Sequence, residues 1–143
     1  MEKKVEGQFE EHDGMQFDYK HYQTKCDYGL IWIHGLGEHI ERYNDCFDAW
    51  KSKLEIISYD SRGFGQTVIK SNAPLGCNYG WETVLNDVVY FTKKLKAKKI
   101  FIGGHSMGGL IALGCLDKIV STSGKQVLGV VSSSPAIKAG NSI

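Results

Sequence analysis

The sequence predicts an α/β fold, with a mostly parallel sheet, helices on both of its faces and a β-hairpin at the N-terminus. Three observations carry this reading. Residues 28–33, 54–59, 99–104 and 127–132 are short apolar runs, mostly without the alternation of a half-exposed strand, so they look buried on both faces as parallel strands are. Helical periodicity fills the gaps between those runs. Residues 8–12 and 15–22 alternate around Asp13-Gly14, a strong two-residue turn signal, and so predict an antiparallel hairpin.

After the hairpin and the first apolar run, Tyr43, Phe47, Trp50 and Leu54 step by four, three and four, the stripe of one helix. Trp81, Val84, Leu85, Val88, Phe91 and Leu95 form a longer stripe. Leu110, Ile111, Leu113 and Leu116 form a third. Strand and helix therefore alternate, which predicts right-handed crossovers and a functional site at the carboxyl ends of the strands.

No repeat or low-complexity stretch divides the 143 residues, so they read as one domain. A chain of this length buries roughly 68–70% of the surface its unfolded form exposes, enough for a core without disulfide or metal staples. Seventeen Lys/Arg against sixteen Asp/Glu leave no field to attract a polyanion, which excludes nucleic acid on charge. The one basic run, Lys93, Lys94, Lys96, Lys98 and Lys99, reads as a solvated helix end, with an anionic membrane surface the lesser alternative. No apolar run has the length of a membrane span and no apolar segment follows Met1 as in a signal peptide, so the expected location is the cytoplasm. Cys26, Cys46, Cys77 and Cys115 form no CxxC pair and no metal-like spacing with histidine. They read as reduced, partly buried thiols.

The sharpest local signal is Gly103-Gly104-His105-Ser106-Met107-Gly108-Gly109, placed between a predicted buried strand and a predicted helix. It contains G-x-S-x-G as Gly104, Ser106 and Gly108. In such an elbow the serine sits on a strained turn that lifts its hydroxyl above the sheet, and the flanking glycines remove side chains that would clash. The helix N-terminus that follows points N–H groups at an adjacent oxyanion. A phosphate loop fails because Gly109-Leu110 stands where Lys-Ser/Thr must follow, and no G-x-G-x-x-G is present for a dinucleotide.

Two further motifs also follow strands. In His34-Gly35-Leu36-Gly37-Glu38-His39 a glycine-flanked turn aims the Leu36 N–H at a bound carbonyl, as second oxyanion donor beside the N–H of Met107. His34 and His39 as a metal pair lack a third ligand nearby, so no metal or other cofactor is expected. In residues 59–67, YDSRGFGQT, Asp60 and Arg62 read as loop-fixing groups in preference to catalytic ones.

HGLGEH, YDSRGFGQT and GHSMGG, in this order and at these strand ends, resemble the α/β-hydrolases, and within them the monoacylglycerol lipase and serine aminopeptidase-like branch. The resemblance runs from about the hairpin to Ser134-Pro135. It implies Ser106 as nucleophile and Leu36 and Met107 as oxyanion donors, with His34, Gly35, Gly37, Gly104, His105 and Gly108 supporting them. Thr67 stands where the branch usually has serine, which keeps a hydroxyl. The implied substrate is a lipid or other small ester, met in the cytoplasm or at the surface of a membrane or lipid droplet.

In that fold the acid and then the histidine follow the nucleophile. After Ser106 this sequence has Asp117 as its one acidic residue and no histidine. The chain therefore looks like the N-terminal half of such a hydrolase, a single partial domain over residues 1–143 that stops after about the sixth strand, without the cap. Residues 127–132 are then expected to form an unpaired apolar sheet edge prone to self-association. Three functional readings remain open: a serine ester hydrolase or part of one, a non-catalytic remnant that binds a ligand or partner, and a site that recruits His34 or His105 as base. Monoacylglycerols, other esters, lysophospholipids and amides all fit the elbow chemistry.

Overall fold

A computed structural model describes residues 3–74 and 79–137, so Cys77 lies outside the described residues. The hairpin pairs β1 (Lys3–His12) with β2 (Met15–Gln23). Its turn is built by Asp13 at φ 50° and Gly14 at φ 76°, the two positive φ values that match a tight turn to the right-handed twist of the strands. The four apolar runs become β3 (Tyr28–Ile33), β4 (Glu55–Tyr59), β5 (Lys99–His105) and β6 (Gln126–Ser133). The sheet order is β1-β2-β4-β3-β5-β6. β2 meets β4 antiparallel, and the β4-β3-β5-β6 block is parallel throughout.

Period-two alternation along these strands divides the apolar residues between two cores. Phe17, Ile31, Ile57 and Ile102 face α3 (Trp81–Thr92), α4 (Met107–Gly114) and α5 (Leu116–Thr122), where Phe91 stacks on Tyr59 with ring centroids 4.3 Å apart. Tyr22, Leu30, Trp32 and Ile56 face the opposite side, against Phe47 of α1 (Asn44–Trp50). Helices thus cover both faces.

The structure departs from the sequence reading in four places. A helix not expected from periodicity, α2 (Gly65–Ser71), begins inside the third motif. The third stripe is two helices, α4 and α5, meeting at Cys115. Leu54 and Leu95 lie past the ends of α1 and α3. β6 is the edge strand of the parallel block, and its Leu128 and Val131 are exposed, so burial on both faces fails for this run while the expected apolar edge is present.

At the amino ends of the parallel strands, Glu55 accepts the N–H groups of Lys96 and Ala97 and pairs with His21 at 2.6 Å, which ties the α3–β5 connection to β4. The residues with site motifs all lie at the other end. Phe91→Ala is expected to cost about 3–5 kcal/mol, because the ring is fully buried among Phe17, Tyr19 and Tyr59. Ile69→Ala, at a 64% exposed position of α2, is expected to stay within about 0.5 kcal/mol. Urea unfolding of both variants checks this, and equal losses would contradict the packing described.

Candidate active site

β5 delivers the chain into the elbow and α4 carries it away, with Ser106 between them at φ 55° and ψ −116°. A serine in this region costs on the order of 1–3 kcal/mol and persists only where the surroundings over-determine it. Here its N–H donates to Ser133 O at 2.9 Å, and its carbonyl accepts from Leu110 and Ala136, both at 3.1 Å. The glycines on either side are required by close approach. A Cβ on Gly104 would lie 2.2 Å from Gly108 O, and one on Gly108 would lie 2.0 Å from Ile33 O. The end of β6 closes the turn from the other side, where Ser132 Oγ donates to Gly109 O at 2.9 Å and Ser133 Oγ lies 3.2 Å from His105 Nδ1.

The loop after β3 is shaped by Glu38, a residue the motif reading left without a role. Its Oε1 accepts the Gly35 N–H at 2.7 Å and the Tyr43 hydroxyl at 2.6 Å, and its Oε2 pairs with Arg42 at 2.8 Å. Burial alone would raise the Glu38 pKa, but these donors hold it below the usual carboxylate range. The signal was present as a carboxylate inside a glycine-rich turn, where free N–H groups need an acceptor. A Cβ on Gly35 would sit 3.1 Å from His105 O, so this loop lies directly on the elbow. Among the described residues, neither the Leu36 nor the Met107 N–H donates to the chain. Both residues line one cavity of about 240 Å³ between the end of β4, the start of α3 and the first turns of α4.

Asp60, Arg62 and Thr67 hold loops, as their residue types suggested. Asp60 accepts the Ile40 N–H at 2.7 Å and the Gln66 N–H at 2.8 Å, and so joins the loop after β3 to the start of α2. Arg62 makes a two-pronged pair with Asp87 of α3 at 3.0 and 2.8 Å and reaches Asp13 of the hairpin at 3.0 Å. The fully buried Thr67 hydroxyl donates to Asp60 O at 2.7 Å and accepts the Asp18 N–H at 3.0 Å, work that a serine hydroxyl could also do.

Three of the five histidines are committed elsewhere. His34 is fully buried; its Nε2 accepts the Ser61 N–H at 2.8 Å, which leaves Nδ1 to donate to Gly35 O at 2.7 Å. Burial pushes its pKa down. With both nitrogens occupied, His34 is a strut between β3 and β4, which removes it as a recruited base. His21 is at the far end of the sheet with Glu55, and His12 stacks on Tyr90 beside Asp87. His39 is exposed, and His105 turns its Nδ1 toward Ser133. Among the described residues no group of three His, Cys, Asp or Glu could hold a metal ion, and no helix is long and apolar enough to cross a membrane.

A family model described as serine aminopeptidase, S33, matches residues 25–143. The chain belongs to this family of α/β-hydrolases. Within it the chain falls in the monoacylglycerol lipase-like branch. A provisionally named monoglyceride lipase of Schizosaccharomyces pombe is 32% identical over 112 residues, covering 76% of this chain and 29% of that one. The monoglyceride lipase of Saccharomyces cerevisiae is 30% identical over 143 residues, covering 91% and 44%. Among solved structures, a soluble variant of the Saccharomyces cerevisiae monoglyceride lipase with a substrate analog superposes at a TM-score of 0.70 with 27% identity, over 93% of this chain and 45% of that one. This serine aminopeptidase-family chain thus spans less than half the length of the relatives it matches.

One carboxylate beneath the site is out of balance. Asp18 on β2 is 5% exposed, its Oδ1 has no hydrogen-bond partner, and burial with the nearby Asp60 and Glu41 raises its pKa to about 6 against the pull of Lys20. The folded value lies above the unfolded one of about 3.9, so the native state holds this proton more tightly, and the group's contribution to stability falls as pH rises from about 4 through about 6. Asp18→Asn is expected to raise stability at pH 7.5 by about 1–3 kcal/mol and to flatten the profile in that window. Urea unfolding at stepped pH checks it, and an unchanged profile would contradict it.

Proposed function

We propose that this chain carries the nucleophile and the oxyanion donors of a serine hydrolase acting on carboxylic esters of the acylglycerol type. Ser106 Oγ attacks the ester carbonyl, and the Leu36 and Met107 N–H groups bind the oxygen as it takes up negative charge. A general base accepts the Oγ proton and passes it to the departing alkoxide. Water then hydrolyses the acyl-enzyme. The observation that carries this reading is the strained Ser106 between two sterically required glycines, with two N–H groups not used by the chain and an apolar cavity beside it. The monoglyceride lipase relatives support the substrate class.

These 143 residues assign no general base. His34 is occupied at both nitrogens, His12 and His21 are held in other pairs, and no histidine follows Ser106 in the sequence. These facts favour a second reading of the 143 residues by themselves, as a catalytically silent unit that binds ligand or partner. The chain would act in the cytoplasm or against a membrane or lipid-droplet surface, where such esters lie. The exposed β6 edge, with Leu128 and Val131, is where copies of it would associate.

A fluorophosphonate probe is therefore expected to label Ser106 slowly or not at all in the chain alone, because removing triad members leaves roughly 10³–10⁴-fold catalysis over water. Fusing to it the C-terminal part of a relative that brings an acid and a histidine should restore labelling, and Ser106→Ala should abolish it. Rapid turnover of a monoacylglycerol by the unsupplemented chain, lost on His34→Ala, would overturn the reading of these 143 residues as catalytically silent. Sedimentation of the chain as a monomer at high concentration would overturn the edge association.

A further inference from the structure

We propose that the amino ends of the parallel strands, at the end of the sheet opposite Ser106, form a basic face that docks on an anionic phospholipid bilayer. The formal net charge of +1 conceals an uneven distribution. The carboxylates that fix the loops, Glu38, Asp60 and Asp87, lie toward the carboxyl ends of the strands. At the amino ends Lys25, Lys53, Lys96, Lys98 and Lys99 are exposed, and none of them joins an ion pair among the described residues. Helix α3 ends at Thr92, so Lys96, Lys98 and Lys99 belong to the connection into β5 and are not the solvated end of a helix.

Register puts these lysines on one level. Parallel pairing aligns Tyr28 with Lys99, Lys99 with Gln126, and Gly29 with Glu55, so the connections entering the four strands end side by side, roughly 14 Å across at about 4.8 Å per strand. The connections are tied to one another. The Cys26 thiol donates to Ser52 O at 3.7 Å, the Gln126 N–H donates to Lys98 O at 2.8 Å, and the buried Lys125 ammonium donates to the carbonyls of Leu95 and Ala97. A fixed array of cations this wide suits an extended anionic surface better than one small anion. The open cavity of about 430 Å³ at this end favours the same choice, because Asp27 and the buried Glu55 line it together with Lys96, Lys98 and Lys99. A phosphate entering it meets carboxylates, whereas one lying across the exposed lysines does not. Tyr28 favours a bilayer over a nucleic acid: it also lines the cavity, is 43% exposed, and offers the amphipathic ring that settles at the membrane–water interface.

Cosedimentation of the 143-residue chain with vesicles at low salt tests this. Binding is expected to phosphatidylcholine vesicles that contain phosphatidylserine and not to phosphatidylcholine alone, and it should fall steeply as added salt screens the surface. Lys98→Gln is expected to weaken it about fivefold, and the combined change of Lys96, Lys98 and Lys99 to glutamine about a hundredfold. Lys70→Gln, at an exposed position of α2 toward the other end of the sheet, should leave it unchanged. A nitroxide on the lipid headgroup should broaden the Lys98 and Lys99 amides and leave those of Leu36 and Met107 sharp. None of these readouts requires an active Ser106, so they hold or fail independently of the hydrolase reading. Equal binding to both kinds of vesicle, no binding to either, or full affinity in the triple variant would overturn the proposal, as would broadening at Leu36 and Met107 in place of Lys98 and Lys99. Tighter binding to polyuridylate than to the vesicles, lost in the triple variant, would assign the face to nucleic acid and overturn the bilayer.

Discussion

Three stretches of backbone meet without side chains between them where the end of β3 and the first turn of α4 press on the elbow. Any Cβ at Gly104 or Gly108 would fall within about 2 Å of a carbonyl oxygen, far inside contact distance. That approach brings the first turn of α4 directly under Ser106 and against the loop carrying Leu36. The strain at Ser106 is tolerable because the parallel pairing of β3, β5 and β6 holds the strand ends around it, with Ile33 and Ser133 on either side of the end of β5. The apolar cores on both faces of the sheet therefore act on the site through backbone placement, with no direct contact to the serine hydroxyl needed.

The carboxyl ends of parallel strands leave loops rich in N–H groups that cannot pair with the sheet, and this chain satisfies them with carboxylates. Glu38 caps the Gly35 turn, Asp60 binds the loop after β3 to α2, and Asp87 anchors Arg62 beneath the cavity. Concentrating acids there has a cost, visible in Asp18, whose neighbours Asp60 and Glu41 add to its burial in disfavouring its charge. Breaking the buried Arg62–Asp87 pair by removing one partner would strand a charge and cost roughly 3–5 kcal/mol, so this pair is a structural joint as well as a cavity wall.

Much of this was legible in the sequence where a single local rule governs. Asp13-Gly14 demanded a tight turn, and three of the apolar runs became the parallel strands β3, β4 and β5, covered on both faces, while the fourth became the exposed edge strand β6, whose apolar composition alone had marked it. The elbow was legible because its glycines answer to local sterics. Helix α2 was hidden because only Thr67 of its seven residues is buried, which leaves no apolar stripe to read. The break at Cys115 was hidden because Leu110, Ile111, Leu113 and Leu116 keep helical spacing across it. The partners of Glu38, Asp60 and Arg62 lie up to 49 residues away in sequence, at distances that spacing does not encode. His34 was open as a base until its two hydrogen bonds were located.

We propose that Ser106, Leu36 and Met107 converge on one point in this chain as it stands. Amide NMR spectra recorded while an alkylboronic acid is added test this most directly, because a boronate on the serine presents its oxygen to the two proposed oxyanion donors. The account predicts that the Leu36 and Met107 amides shift together, with one midpoint, and that Ser106→Ala abolishes both shifts. Shifts confined to the other end of the sheet, at Lys96 and Ala97, with Leu36 and Met107 unmoved, would contradict it.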